Sequence, residues 1–339
     1  MTRTVTSRDV ARMAGVSQAT VSRVLHGSPN IAPETRTRVL AVVEQTGYQP
    51  NAAATSMRTR RTATIGVVVG RITNPFYPQM LDALGAELEP HGLRLILWDA
   101  TTGPGERAAI EAIDQRRIDG LVFTTATASS AALQHAIDRR APIVLVNRVV
   151  EGQPCDQVDS ANEDTARRIA RYFADNGHTR VGLITASTDA STAAARSAGF
   201  ADEAADLGLH LDDRHVVDGG FSHEGGRAAL ERILDAGIDP PTAVFAVNDL
   251  SGLGALDAAR AAGVAVPDDL WVVGYDDIEM ASWEAFQLTT ARQPIPEMVR
   301  VSVELLLARI AAPTRAAVHH RLPGEIVVRR STAHAPVRG

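Results

Sequence analysis

The sequence predicts a small all-α helix-turn-helix head followed by an α/β clamp of two doubly wound parallel-sheet subdomains. Three observations carry this expectation. Residues 8–27, RDVARMAGVSQATVSRVLHG, place apolar residues at helical spacing on either side of a single glycine. From Thr64 onward, short apolar runs alternate with helical stretches, the pattern of parallel sheets covered on both faces. Charge is also unevenly distributed. Residues 1–62 hold nine arginines and three acids, a net +6, whereas the whole 339-residue chain carries −6, so the remainder carries −12. A basic head on an acidic body suits a polyanion-binding module joined to something that should not adhere to nucleic acid.

In the head, Asp9 to Ala14 reads as a first helix with Val10, Ala11 and Ala14 inward. Gly15 can adopt the left-handed conformation that a sharp turn requires. Ser17 is a suitable N-cap for a second helix running to about Leu25. On that helix Val21, Val24 and Leu25 share one face, while Gln18, Ala19, Ser22, Arg23 and His26 share the other. Hydrogen-bonding groups, one cation and a methyl on one face suit base edges in a DNA major groove. Pro33 and Glu34 begin a third helix, with Val39, Leu40, Val42 and Val43 as its core face and Gly47 as its stop. The following segment, Asn51 to Arg58, is too short to hold as an isolated helix in water and is expected to become helical only on docking.

In the body, strands are expected at 65–70, 94–100, 120–125, 142–147, 180–186, 215–219, 242–248 and 270–277. Helices are expected at 75–91, 104–116, 161–176, 192–207, 222–236 and 249–262. The units divide near residue 160, and the chain then crosses back through 288–294, a helix at 295–311 and strands within 318–332. Ligands of such sheets bind beyond the carboxyl ends of the strands. Those ends carry Asn74, Phe76 and Tyr77, then Asn147 and Arg148, then Arg196, Phe221, Asn248, Asp249, Asp276 and Asp277. Amides, carboxylates and guanidinium groups beside aromatic faces suit a polyhydroxylated ring.

Several function classes are excluded or disfavoured. All 34 basic residues are arginine, so there is no GK[ST] phosphate loop and no Schiff-base lysine. No HExxH or CxxC occurs, the ten histidines are scattered, and neither a metal, a cofactor nor an enzymatic activity is expected. The single Cys155 cannot form an internal disulfide. No apolar run approaches the roughly 18 residues that span a bilayer, and MTRTVTSRDV contains no apolar signal segment, so a cytoplasmic protein without membrane contact is expected.

The head resembles the lactose-repressor (LacI) family of bacterial transcription regulators. That family's motif reads much like VTxxDVAxxAGVSxATVSRVL, and this chain has Val5, Thr6, Asp9, Val10, Ala11, Ala14, Gly15, Val16, Ser17, Ala19 and Thr20, followed by Val21 through Leu25. The resemblance implies a sequence-specific DNA-binding regulator, most often a repressor, with Ser17, Gln18, Ala19, Thr20, Ser22, Arg23 and His26 at the major groove. It implies a hinge helix whose Asn51, Ala54, Met57 and Arg58 meet the minor groove, with Met57 where the family's wedge is usually leucine. It extends to a periplasmic-binding-protein-like clamp holding a small effector. Motifs matching the family's effector contacts place Arg196 in RSAGF, Asn248 in VND, Asp276 in VGYDD, an aromatic at Phe221 and Phe76 in NPFY, with Arg148 and Thr192 as further candidates.

The expected domains are a head at 3–58, with its motif at 8–27 and hinge at 51–58, and an effector-binding and dimerisation domain at 62–339. The latter would divide into one subdomain of 62–160 plus 291–320 and another of 161–290 plus 321–335. Expected partners are a pseudo-palindromic double-stranded operator, a carbohydrate effector and a second copy of the chain. No C-terminal leucine heptad is present to build a tetramer. A purine or nucleoside effector is the alternative. A solute-binding protein for transport would share the clamp but not the head.

Overall fold

The computed structural model describes residues 5–25, 27–48, 61–101 and 104–332. The chain divides into two compact units, residues 1–62 and 63–339. The first contains α1 (Ser7–Ala14), α2 (Gln18–Leu25) and α3 (Pro33–Thr46). Helix α1 begins two residues earlier than the apolar spacing suggests because of its cap. Thr6 accepts from the Asp9 amide, and the Asp9 carboxylate accepts from the Thr6 amide and hydroxyl. Gly15 closes the helix at φ +63°. Among the described residues of this unit, Val10, Ala11, Ala14, Val21, Val24 and Val39 are the buried apolar ones, a core of very modest size.

The second unit contains two six-stranded sheets. The first is built from β1 (Thr64–Val69), β2 (Arg94–Asp99), β3 (Gly120–Phe123), β4 (Ile143–Val146), β5 (Asp156–Ser160) and β11 (His319–Leu322), in the spatial order β11-β5-β4-β3-β1-β2. All its pairs are parallel. Its connections include α4 (Phe76–Leu88), α5 (Pro104–Asp114) and α6 (Ala131–Asp138).

The second sheet is built from β6 (Arg180–Thr185), β7 (His210–Asp218), β8 (Ala243–Ala246), β9 (Trp271–Asp276), β10 (Thr289–Arg292) and β12 (Glu325–Val327). Its order is β12-β10-β9-β8-β6-β7, and only β12 runs antiparallel, against β10. Helices α7 (Asn162–Asp175), α8 (Ser191–Asp206), α9 (His223–Leu234) and α10 (Asp249–Ala261) connect and cover these strands. Helix α11 (Ile295–Ala311) returns to the first sheet and packs on β3, β4 and β5. The chain therefore passes between the lobes after β5, after β10 and after β11.

Strands β1, β3, β4 and β8 are buried along their whole length, as both-face coverage demands of parallel strands. Three elements differ from the sequence expectation. Strand β5, DQVDS, is fully buried although mostly polar, so apolar periodicity does not reveal it. Strand β7 begins at His210, ahead of the apolar run at 215, and its pairing with β6 shifts register between Val181 and Leu183. Strand β2 is apolar in sequence but lies at the sheet edge, leaving Ile96 and Leu97 exposed.

Candidate functional site

Within the first unit, α2 turns Val21 and Val24 into the core and leaves Gln18, Ala19 and Arg23 exposed, with Thr20 and Ser22 half-buried. Ser17 accepts from the Thr20 amide at 3.1 Å, so it caps the helix as its residue type suggests. Its hydroxyl also lies 2.9 Å from that of Thr20. The Gln18 amide donates to Ser7 at 2.7 Å, which fixes the side chain at the start of the exposed face. That face offers amide, hydroxyl, methyl and guanidinium groups, the chemical types that read base edges. His26, Asn51, Ala54, Met57 and Arg58 lie outside the described residues.

Within the second unit, a cleft of about 320 Å³ opens between the two lobes at the carboxyl ends of the strands. The first lobe contributes Arg71 and Asn74 after β1, Phe76 and Tyr77 at the start of α4, and Asn147 and Arg148 after β4. The second lobe contributes Thr192 and Arg196 on α8, Phe221 after β7, and Asp276 at the end of β9. Phe76, Arg148, Thr192, Arg196, Phe221 and Asp276 thus meet at one place. Asn248 does not line the cleft. Its side chain accepts from the Ser251 amide at 3.1 Å, capping α10, and donates to the Phe221 carbonyl at 3.4 Å. It holds the backbone of a lining residue instead.

Arg196 is only 2% exposed and is held on every side. Its Nε donates to Asn162 at 2.7 Å, and its Nη1 donates to the Val247 carbonyl at 2.7 Å and to Asp276 at 3.2 Å. The guanidinium lies 3.6 Å over the Tyr275 ring. Asp276 also accepts from Gln293 at 2.8 Å. Burial raises the Asp276 pKa, and the Arg196 charge opposes that rise. Behind it, Asp249 is fully buried and accepts from the Ile278 amide at 2.8 Å. Burial, and then the nearby Asp276 charge, push the Asp249 carboxyl well above the usual range.

Backbone strain concentrates here. Arg71, Asn147, Phe221 and Asp276 all have positive φ, at 50°, 72°, 57° and 120°. So do buried polar atoms without a partner among the described residues: Thr125 Oγ1, Asn147 Oδ1 and Arg148 Nε line the cleft, and Gln293 Oε1 belongs to the residue that braces Asp276. Unpaired buried groups are costly and rare, so their convergence makes this cleft a candidate surface for a polar ligand. Hydrogen bonds between the lobes among the described residues include Arg71 to the Gly220 carbonyl at 2.5 Å, the Val149 amide to Ser191 Oγ at 3.0 Å, and the Ser160 and Tyr275 hydroxyls at 3.4 Å.

Arg71, Glu106, Thr125 and Asp189 are lining residues that the sequence motifs do not single out. Arg71 and Thr125 do lie just after β1 and β3, so the rule of strand carboxyl ends could have found them. Glu106 and Asp189 carry no such signal.

An exposed helix face carrying the chemistry that reads base edges and a polar clamp, in one chain, are the features of a ligand-controlled DNA-binding protein. The description of bacterial regulatory proteins of the lacI family matches residues 6–51, and that of a periplasmic binding protein-like domain matches residues 170–332. The chain is 34% identical to the HTH-type transcriptional regulator GalS of Salmonella typhimurium over 330 residues, 97% of each chain. It is 30% identical to a solved complex of the transcriptional regulator CelR with cellobiose, covering 96% of this chain and 99% of that one at a TM-score of 0.75. It is 26% identical to a lac repressor dimer bound to operator and the anti-inducer ONPF, covering 98% and 100% at a TM-score of 0.85. The chain belongs to the lacI family of bacterial regulatory proteins and is a DNA-binding transcription regulator. None of the helices among its described residues is long and apolar enough to cross a membrane.

Proposed function

We propose that this chain is a cytoplasmic repressor that binds a pseudo-palindromic operator as a homodimer and is controlled by a carbohydrate bound between its lobes. Gln18, Ala19, Ser22 and Arg23 would read bases, with Ser17, Thr20 and His26 beside them. Asn51, Ala54, Met57 and Arg58 would serve the minor groove. The effector would contact Phe76, Arg148, Thr192, Arg196, Phe221 and Asp276, with Asn248 supporting Phe221 from behind. A ligand that bridges the lobes biases the angle between them, which is how such a clamp transmits its state.

The convergence of unpaired buried amide, hydroxyl and guanidinium atoms on one cleft carries this reading. These groups match the alternating donors and acceptors of a sugar. The similarity to a regulator solved with cellobiose points the same way. For the dimer, exposed Ile96 and Leu97 on edge strand β2 suit a second copy of the chain, since an unpaired apolar edge is otherwise a liability.

The test has two arms. Selection from a random duplex pool yields a preferred site, and Arg23→Ala weakens binding to it by ~1–3 kcal/mol and relaxes base preference. Unchanged affinity and preference would refute the assigned reading face. Thermal unfolding against sugars, sugar phosphates, nucleosides and purines yields a stabilising ligand, worth ~2.7 kcal/mol at 100 times its dissociation constant. Asp276→Asn, which keeps shape and removes charge, abolishes the shift. A purine hit would replace the carbohydrate and keep the cleft.

A further inference from the structure

Strand β4 joins two cavities. Asn147 and Arg148 follow its carboxyl end and line the effector cleft. At its amino end Ile143 lines a second cavity of about 360 Å³. The strand is four residues long, so the two lie ~13 Å apart along it. Arg140, Arg309 and Arg315 supply the charge of the second cavity, and no carboxylate lines it.

Asp156 is buried beneath two of these arginines. Its Oδ2 accepts from Arg309 Nε at 3.0 Å and from Arg315 Nη1 at 3.2 Å, and its Oδ1 accepts from the Val318 amide at 3.0 Å. One carboxylate therefore balances two guanidinium groups. Arg309, 7% exposed, is further fixed by the carbonyls of Pro313 and Ala316. Arg140 is different. It is exposed, its backbone is left-handed at φ 52°, and its guanidinium has no ion pair or hydrogen bond among the described residues. Its neighbour Arg139 is paired with Asp114 at 2.9 Å. The cavity thus holds an excess of two positive charges on a body whose balance is strongly acidic.

We propose that this cavity binds a phosphate-type dianion, free or as the phosphomonoester of a small molecule. The Arg140 fork can meet phosphate oxygens bidentately and Arg315 keeps Nε and Nη2 to donate, while Arg309, whose nitrogens already donate to Asp156 and backbone carbonyls, supplies charge. Asp156 and the backbone carbonyls hold Arg309 and Arg315 in place before any ligand arrives, so binding costs little reorganisation. Ile137, Ile143 and Cys155 form an apolar side that strengthens charge pairing. Arg309 and Arg315 also fasten the end of α11 to β5, a purely structural duty. Arg140 has no such duty, so it decides the question.

The experiment uses the full chain at constant ionic strength, exchanging chloride for inorganic phosphate, with phosphorus line broadening and the unfolding midpoint as readouts. Wild type shows saturable broadening and an upward midpoint shift. Arg140→Gln and Arg140→Glu weaken the apparent affinity at least tenfold while keeping the wild-type midpoint in chloride. Arg140→Lys retains binding within about tenfold, and Arg148→Ala in the effector cleft retains it fully. Glycerol 3-phosphate binding more tightly than phosphate, with glycerol inert, identifies a phosphomonoester; equal binding identifies the free ion. The proposal is overturned if wild type responds no more than in chloride, if the Arg140 variants respond like wild type, or if Arg148→Ala alone removes the response.

Discussion

Four residues of the cleft hold backbone conformations that an L side chain adopts at a cost, and two of them, Asn147 and Asp276, are also buried polar groups. Such positions survive where the surroundings over-determine them. Asp276 is held by Arg196 and Gln293, and Arg196 by Asn162 and the Val247 carbonyl. Cys155 shows the opposite case. Burial, then the nearby Asp156 charge, push its thiol up to about 12, so it is an unreactive packing residue.

His215 offers a pH test. It is 1% exposed, and both ring nitrogens lack a partner among the described residues. Burial lowers its pKa, the Asp212 charge opposes this, and Arg214 and His210 add to the lowering. The folded state therefore keeps it neutral below the usual ~6.5, where the unfolded chain already binds a proton. Stability should be full above pH ~6.5 and should decline as pH falls toward the folded value, by at most ~1.4 kcal/mol per unit. Urea unfolding at pH 7.5 and 5.5 checks this. His215→Leu should reduce the difference between the two, with the remainder shared by His178, which burial also lowers. An unchanged difference would show that the ring is solvated.

At the scale of elements, helix contacts depend on missing side chains. A Cβ at Gly254 of α10 would stand 2.0 Å from the His223 carbonyl oxygen and 2.7 Å from the Arg227 nitrogen. Helices α9 and α10 could not keep their spacing. Gly254→Ala should lower the free energy of unfolding by at least ~2 kcal/mol with helix content retained, as read from denaturant midpoints. Gly85 in α4 is the control. It is helical and has nothing within 4 Å of the added carbon, so Gly85→Ala should stabilise by ~0.5–1 kcal/mol. Equal effects at both positions would mean that helix propensity, not close approach, governs these sites.

For the whole molecule, the exposed β2 edge is where a second copy is proposed to dock. Leu97→Asp places a charge on that edge and should convert a dimer into the 36.0 kDa monomer in sedimentation. Operator affinity should fall with it, because two linked heads gain from effective concentration. A variant that stays dimeric would move the interface elsewhere. The chain passes between the two lobes three times, and both lobes lie in one compact unit, residues 63–339.

Much of this was readable from the chain alone because local patterns and the structure agree. Apolar spacing and Gly15 sufficed for α1 and α2, and alternating apolar runs sufficed for the buried strands β1, β3, β4 and β8. Strand ends and family-like motifs also pointed to nine residues that converge on the cleft. Other features depend on contacts between residues distant in sequence. Strand β5 is polar and buried because Gln157 bonds the Val150 backbone and Asp156 meets Arg309, contacts that sequence periodicity cannot encode. Asn248 looks like a ligand residue in its motif but is occupied by a helix cap and the Phe221 carbonyl. Glu106 joins the cleft, and three arginines gather at the amino end of β4, only because packing brings residues of separate crossovers together. Local spacing encodes which segments form and which faces are apolar; long-range packing decides which polar groups remain unpaired, and those are the groups available to bind.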